Sequence, residues 1–233
     1  MNEPSATSAD TRKFVECVSK SNNALVLSHC CNIVLIYQYM RRKESLTLFQ
    51  KVTSVLGALY VADLVSGLAH LTFDRDTDYP FFKKNISDFQ NHHLNPTLIK
   101  ERSVLELFRQ STFTPFNAGF VLYNLTKYTS KPRILSQLIF LYACHLTQMI
   151  HMSAHKMNHA TRSEKRKLHM RLLNMLQQSG ILLKPEDHKI HHSSPKFDVN
   201  FCLINGWANP LLNKIVHIPR VYKWLFSSPL VKF

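Results

Sequence analysis

Four long apolar segments alternate with polar segments along the chain. They cover residues 24–37, 46–71, 113–125 and 134–150. Only the second comfortably reaches the roughly 20 residues that a helix needs to cross a bilayer. The other three are short enough to be buried core helices of a soluble bundle. Hydropathy therefore predicts helices in all four places and leaves both a membrane and a soluble core open.

The distribution of Lys and Arg favours the membrane. If all four segments cross a bilayer and the N-terminus is cytosolic, residues 1–23, 72–112 and 151–233 share one side, which carries 22 of the 29 Lys and Arg residues. Such an excess is typical of the cytosolic side. The run Arg41-Arg42-Lys43 falls on the opposite side and counts against this topology. The predicted fold class is all-α, a four-helix transmembrane bundle with a cytosolic-side helical cap carrying the histidine motifs.

Two polar segments are predicted to form amphipathic surface helices. Asn95 and Pro96 offer an N-cap and a helix-starting proline to residues 97–110. Residues 162–178 combine a basic start with a leucine stripe. A helix of this kind lies on an anionic membrane surface or is simply solvated, and both alternatives stay open here.

Charge and cysteine content narrow the function classes. A net charge of +14 fits a nucleic acid or an anionic membrane surface, but no helix-turn-helix, zinc-knuckle or RNP-type pattern supports a nucleic-acid partner. The five cysteines include no CxxC pair, which argues against a disulfide framework and indicates reducing surroundings. The first 23 residues contain acidic residues and no apolar run, so they resemble neither a signal peptide nor a transit peptide.

Eight of the thirteen histidines fall into four clusters, which indicates metal ligands rather than scattered surface imidazoles. An HxxxH spacing places two rings on one helix face, about 6 Å apart. Adjacent histidines cannot face the same way, so such a pair is predicted to supply ligands to two ions. The predicted metal-ligating and catalytic set is His70, His92, His93, His151, His155, His188, His191 and His192.

Three further residues are predicted to support this set. An ionisable residue inside an apolar helix is costly, so Asp63 is expected to hold an imidazole N–H and fix which ring nitrogen faces a metal. The alternative is a structural polar contact between helices. Asp74 lies on the same helical stripe as Asp63 and His70. Asn200 is a candidate by its position alone.

The donor set bears on the identity of the metal. Eight imidazoles suit two ions with room for oxygen, but imidazole serves iron, copper, nickel and zinc alike. Soluble di-iron bundles use Glu with Glu-x-x-His, and no Glu in this chain has a His three residues later. An all-histidine set in a membrane frame therefore points to membrane di-iron oxidation.

Five motifs resemble those of the Kua/CarF lipid desaturase family. They spread over roughly two thirds of the chain, from residue 60 to residue 213, in the family's order. The family includes plasmanylethanolamine desaturases and plant acyl desaturases of chloroplast lipids. The motifs are DLVSGLAH from Asp63, FQNHHLNPT from Phe89, HMSAH from His151, HKIHHSSP from His188 and NFCLINGWANPLL from Asn200.

The resemblance implies a chemistry and a location. The eight histidines would hold two non-haem iron ions and use O₂ as co-substrate to remove two hydrogens from a membrane phospholipid. Electrons would come from cytochrome b5 or a similar donor. The implied location is the endoplasmic reticulum membrane, spanned several times, with a plastid membrane as the alternative. The implied division is a polar segment at residues 1–23, a lipid desaturase domain at 24–213 and a tail at 214–233.

The substrate is left open between two branches of the family. The N-terminus lacks transit-peptide character, which favours the endoplasmic reticulum and an ether lipid converted to a plasmalogen vinyl ether. Gly180 replaces a histidine of the animal plasmalogen enzymes and matches the plant acyl desaturases, and Leu71 replaces a usual Trp. The alternatives are an acyl-lipid desaturase, a hydroxylase and a non-catalytic Kua-type membrane localisation module.

Overall fold

The computed structural model describes residues 8–74, 83–95, 103–112, 114–194 and 196–226. All regular secondary structure in these ranges is helical, so the predicted all-α class is confirmed. The helices are α1 (Ser8–Arg41), α2 (Leu48–Phe73), α3 (Lys83–Leu94), α4 (Val104–Ser111), α5 (Thr114–Thr126), α6 (Lys131–His159), α7 (Arg162–Lys165), α8 (Leu168–Gln178), α9 (Pro185–Ser193), α10 (Asn209–Val216) and α11 (Pro219–Phe226).

The four predicted apolar helices correspond to α1, α2, α5 and α6. Among the described residues, α2 is the one helix that is both long and apolar enough to cross a membrane. A capping box of Thr47 and Gln50 fixes its start. Its end is set by Asp74, whose backbone N–H donates to the carbonyl of His70. This end of α2 carries predicted site residues.

The core forms where α6 packs against α2. Ala58 and Ala62 of α2 are buried, and their small side chains let the two helix backbones approach closely. Leu138, Leu141 and Ile150 of α6 belong to the same buried cluster. A second buried cluster joins α10 and α11 to the C-terminal half of α2.

Buried amide side chains connect α1, α5 and α6. Asn117 of α5 donates to Asn32 of α1 at 2.7 Å, and Asn124 of α5 donates to Gln137 of α6 at 2.6 Å. All four side chains are buried. Such contacts hold helices together where the surrounding surface is apolar.

The predicted amphipathic helices differ from the observed ones in their bounds. Residues 96–102, which include the predicted start at Pro96, lie outside the described residues, and α4 begins after the cap Ser103. Residues 162–178 form α7 and α8, because the chain leaves the helix at Arg166 and Lys167. Leu168 and Leu172 of the predicted leucine stripe are exposed.

The predicted domain boundaries stay predictions. The first falls inside α1, which continues from Ser8 to Arg41. The second falls inside α10, which continues from Asn209 to Val216.

Candidate metal centre

All eight clustered histidines meet at one end of the α2–α6 pair. They come from four helices: the end of α2, the end of α3, the last three turns of α6 and most of α9. Their ligand atoms form two adjoining groups, in each of which the atoms lie within 4.8 Å of one another. The imidazole cluster contains His92, His151, His155, His188 and His192. The carboxylate cluster contains His70, Asp74, His93 and His191.

In the imidazole cluster, the Nε2 atoms converge on one another. The Nε2 of His188 lies 2.8 Å from that of His151 and 2.8 Å from that of His155, and these two atoms are 3.1 Å apart. Each imidazole Nε2 carries either a proton or a lone pair. Three such atoms in mutual contact can therefore form one hydrogen bond at most, so hydrogen bonding does not account for the triangle.

A metal ion accounts for the same triangle. With metal–nitrogen bonds of about 2.0–2.1 Å, ligand nitrogens at right angles lie about 2.8–3.0 Å apart. The observed separations match this spacing, and His192 adds a fourth Nε2 at 3.0 Å from His188. The donor set thus fits one metal ion in the imidazole cluster.

The carboxylate cluster is built around Asp74. Its Oδ1 lies 2.8 Å from the Nε2 of His93. Its Oδ2 lies 3.3 Å from the Nε2 of His70 and 3.3 Å from the Nε2 of His191. Asp74 is therefore itself a candidate ligand, whereas the sequence predicted that it would only support the ligands.

Neighbouring histidines divide between the two clusters, as the sequence predicted for His92 and His93. Their ring centroids are 4.5 Å apart. The HxxHH array divides too, because His191 belongs to the carboxylate cluster while His188 and His192 belong to the imidazole cluster. Each of these two motifs therefore bridges both clusters and holds them side by side.

Backbone carbonyls fix the orientation of several rings. The Nδ1 atoms of His70, His92 and His191 lie 2.8, 2.6 and 2.7 Å from the carbonyl oxygens of Phe201, Phe89 and Val199. An Nδ1 that donates its proton to a carbonyl leaves the lone pair on Nε2. These three rings therefore present the unprotonated nitrogen to the clusters, as metal ligands do.

Burial keeps the site in its metal-binding protonation state. It lowers the pKa of His92, His188 and His192, and neighbouring imidazoles lower it further. Burial alone would raise the pKa of Asp74, but His70, His191 and His93 lower it overall. The rings of His92, His188 and His192 are thus neutral and the Asp74 carboxylate is charged at neutral pH, which is what metal ligation requires.

Buried ligand atoms without a hydrogen-bond partner give a second test of fit. Among the described residues, the Nε2 atoms of His70, His92 and His191 and the Oδ2 of Asp74 have none. A buried polar atom left unpaired costs about 1–3 kcal/mol. Metal ions in both clusters would satisfy these atoms, so the residues present fit two ions.

The structure corrects the predicted role of Asp63. Its buried carboxylate does not contact an imidazole in the described hydrogen bonds. Its Oδ1 accepts the backbone N–H groups of Ile204, Asn205 and Gly206 at 3.0–3.2 Å, and its Oδ2 accepts that of Ala208 at 3.0 Å. The physical reason is that four N–H groups of one loop point at a single carboxylate, which compensates its charge inside the apolar helix.

The segment from Phe201 to Ala208 follows α2 from His70 back to Asp63. The carbonyl of Phe201 lies against His70, and the N–H of Leu203 donates to the Ser66 hydroxyl at 3.0 Å. Asp63 then holds the loop that follows. The carboxylate of Asp63 therefore acts on the site indirectly, by fixing the segment whose other end orients His70.

Gly67 makes this close approach possible. A Cβ at this position would lie 2.7 Å from the Sγ of Cys202 and 2.8 Å from a methyl group of Leu212. Both distances are shorter than any ordinary contact. Ser66 and Gly67 were not predicted as site residues, although their spacing from Asp63 and His70 places all four near one helix face.

Asn200 also supports the backbone and makes no described hydrogen bond to a clustered histidine. It has a positive φ of 57°. Its Oδ1 accepts from Asn213 at 3.0 Å, and its Nδ2 donates to the carbonyl of Asp187 at 3.3 Å. Asn200 thereby links α9, which carries three site histidines, to α10.

Gly180 ends α8 with a φ of 73°, a conformation that favours glycine over histidine.

Five histidines lie outside the sequence motifs, and they also lie outside both clusters. They are His29, His145, His159, His169 and His217.

The chain matches the family model of the lipid desaturase domain over residues 59–227. Plasmanylethanolamine desaturase 1 of Mus musculus is 29% identical over an alignment 167 residues long, which covers 66% of this chain and 57% of that protein. Plasmanylethanolamine desaturase of Myxococcus xanthus is 26% identical over an alignment 178 residues long, which covers 74% of this chain and 60% of that protein.

A plant protein is similar to the same degree. The chloroplastic fatty acid desaturase 4-like 1 of Arabidopsis thaliana is 29% identical over 157 residues, which are 66% of this chain and 49% of that protein. The chain thus spans between about half and three fifths of the curated relatives it matches. No solved structure matches the chain.

Proposed function

We propose that this chain, which belongs to the lipid desaturase family, is a membrane-embedded, O₂-dependent lipid desaturase. Its leading substrate is an alkyl-ether phospholipid, and its product is the vinyl ether of a plasmalogen. The observation that carries the proposal is the pair of adjoining ligand clusters, because they offer eight imidazoles and one carboxylate to two metal ions.

The donor set favours iron in this setting. Two iron ions bound in the clusters would supply the O₂ chemistry that removes two hydrogens from a saturated carbon chain, with two electrons from a carrier and water as the reduced product. The protein residues hold the geometry. His92, His93 and the HxxHH array would hold the two ions side by side, and burial excludes bulk water from the ligand atoms.

We further propose that α1, α2, α5 and α6 all lie in the bilayer, as a four-helix transmembrane bundle of the endoplasmic reticulum. Large apolar side chains point outward along these helices, for example Ile33 on α1, Leu56 on α2 and Leu122 on α5. Exposed large apolar side chains on each of these helices suit a bundle whose exterior faces lipid. The buried amide pairs between α1, α5 and α6 also suit helices that associate in lipid.

The relatives support the ether-lipid substrate and keep one alternative. Two of them are named plasmanylethanolamine desaturase, from a mammal and from a bacterium. The third is a plant fatty acid desaturase-like protein of equal identity to the mouse enzyme, which is the specific observation favouring an acyl-lipid substrate. The proposed electron donor is cytochrome b5 or a similar small carrier.

Complementation tests the proposal. The full chain, expressed in cells that lack plasmanylethanolamine desaturase, is expected to restore acid-labile vinyl-ether phospholipids, measured by mass spectrometry of the extracted lipids. Protein purified from these cells is expected to contain close to two irons. His192→Ala is expected to abolish the product without removing the protein from the membrane fraction.

His217→Ala is the matched control, because this exposed histidine lies outside both clusters. It is expected to keep full activity. Active protein that contained zinc alone would contradict the iron assignment. A double bond in an ester-linked acyl chain without vinyl ether would transfer the chain to the acyl-lipid branch, and an oxygenated chain would identify a hydroxylase.

A further inference from the structure

Helix α10 and the residues on either side of it carry an exposed apolar surface. Leu211 and Ile215 lie one turn apart on α10, and Trp207 and Ile218 flank the helix. These four side chains are between 39% and 49% exposed. The neighbouring Leu212 and Val216 are buried against α2. We call Trp207, Leu211, Ile215 and Ile218 the α10 face.

The α10 face lies beside the candidate membrane span rather than beyond its end. The turn at Trp207 is held between Gly206 and Ala208, whose N–H groups both donate to Asp63. Asp63 is ten residues before the end of α2, which corresponds to about 15 Å along a helix. A bilayer that surrounds α2 would therefore reach the level of Trp207.

The exposed side chains of α2 at this level are apolar as well. Val61 and Leu68 lie within one turn of Asp63 and His70 in sequence, and both are exposed. Both α2 and the α10 face therefore expose apolar side chains at this level of the molecule. A bilayer that covers the exposed side of α2 is the natural occupant for the α10 face.

The basic residues on and after α10 complement an anionic surface. The chain contains no Asp or Glu after Asp198, while Lys214, Arg220 and Lys223 follow. Basic side chains that flank an apolar helix face are typical of helices lying in the boundary between headgroups and acyl chains. Trp is enriched at the same depth, and the chain contains just two, Trp207 and Trp224.

We propose that the α10 face lies in the headgroup–acyl boundary of an anionic phospholipid leaflet, on the side of the membrane where the histidine clusters lie. This inference rests on the proposed membrane location. It brings the leaflet against the segment that Asp63 holds, and the other end of that segment orients His70. The lipid surface and the metal centre then share one structural element.

Tryptophan fluorescence can test this directly. In full-length Trp224→Phe protein, Trp207 is the one remaining tryptophan. The protein is reconstituted into nanodiscs of phosphatidylcholine with phosphatidylserine, with or without a phospholipid carrying a nitroxide at carbon 5 of the acyl chain. The nitroxide lipid is expected to lower the Trp207 emission at least about twofold, and aqueous acrylamide is expected to lower it far less.

Two comparisons sharpen the result. Replacing phosphatidylserine by phosphatidylcholine is expected to weaken the nitroxide quenching, because the basic residues lose their anionic partner. Leu211→Gln with Ile215→Gln, which changes exposed side chains, is expected to shift Trp207 from nitroxide quenching towards acrylamide quenching. Circular dichroism of this double variant should match that of Trp224→Phe alone.

Strong acrylamide quenching without nitroxide quenching would overturn the proposal, because the face would then meet water. Protection from both quenchers would overturn it too, and would assign the face to a protein partner or a second copy of the chain. The readout does not depend on turnover. Nitroxide quenching in a protein that forms no vinyl ether would therefore sink the proposed reaction and keep the membrane contact.

Discussion

The two ligand clusters are held in place in different ways. In the imidazole cluster, His92 and His151 have their Nδ1 atoms near acceptors three residues earlier on the same helix. In the carboxylate cluster, His70 relies on the carbonyl of Phe201, which is 131 residues later in the chain. The first cluster is organised by local helix geometry, whereas the second depends on a long-range contact.

The clusters also differ in charge. Among the described residues, the imidazole cluster contains imidazole rings alone, and the carboxylate cluster contains the charged Asp74. Two ions in these surroundings would not be equivalent. Single substitutions should therefore disturb the imidazole cluster and the carboxylate cluster separately.

Asp74→Asn is expected to have the largest effect on the difference between the clusters. The substitution keeps the shape of the side chain but removes the charge that contacts three imidazoles. We expect the metal content to fall from about two ions to about one per chain and desaturase activity to fall about 100-fold. Elemental analysis of the purified variant measures the first quantity and lipid analysis the second.

His192→Ala provides the complementary loss, because it removes a ligand from the imidazole cluster. Iron Mössbauer spectra of the two variants should each lose a different component of the wild-type spectrum. An Asp74→Asn protein with both ions and full turnover would remove the carboxylate from the ligand set and make the clusters alike.

Asp63→Asn is expected to have the next largest effect. The amide replaces a carboxylate that accepts four backbone N–H groups, and the free energy of unfolding should fall by about 3 kcal/mol. At temperatures where the variant stays folded, the Mössbauer component of the carboxylate cluster should change and that of the imidazole cluster should persist.

Asp198→Asn serves as the control for Asp63→Asn. Its carboxylate accepts hydrogen bonds from Ser194 and Tyr222 and is partly exposed. Its loss should cost less than about 1 kcal/mol. If Asp63→Asn changed both Mössbauer components equally, the carboxylate would stabilise the fold generally rather than orient His70.

Gly67→Ala is expected to have the smallest effect of the three, and it has a matched control on the same helix. The added methyl group would collide with Cys202 and Leu212, whereas a methyl group at Gly57 meets nothing within 4 Å. We expect Gly67→Ala to lower the free energy of unfolding by about 1–3 kcal/mol. Gly57→Ala should leave it unchanged or raise it by up to about 1 kcal/mol.

Thermal unfolding in nanodiscs measures both glycine variants, and lipid analysis shows whether activity follows. Equal stability of the two variants would mean that the 201–212 segment can move away from α2 at little cost. Its contact with His70 would then not be a tight constraint on the carboxylate cluster.

Local patterns were sufficient to predict the four long apolar helices and the division of His92 and His93. Helical periodicity decides both, since it fixes which side chains share a face. The metal-ligand set could be proposed because histidines at helical spacing are informative before any tertiary contact is known.

The role of Asp63 could not be predicted in the same way. Its partners are backbone N–H groups of a loop more than 140 residues away. The residue types of a loop do not show where its backbone N–H groups point. The sequence therefore suggested an imidazole partner, which would have been visible as a histidine. The sequence predicted that Asp74 shares a helix face with His70. Its place among the ligands depends on tertiary contacts with His93 of α3 and His191 of α9.

The distance in sequence between Asp63 and its loop has a consequence for biosynthesis. Ribosomes add about 5–20 residues per second, so α2 exists for roughly 7–27 s before Ala208 is made. During that interval an aspartate within an apolar helix lacks the four donors that later compensate its charge. On the proposed membrane location, the nascent α2 is therefore at its least stable until residues 204–208 have been made. Quality-control factors that recognise polar residues in unassembled membrane helices would find their target in this interval.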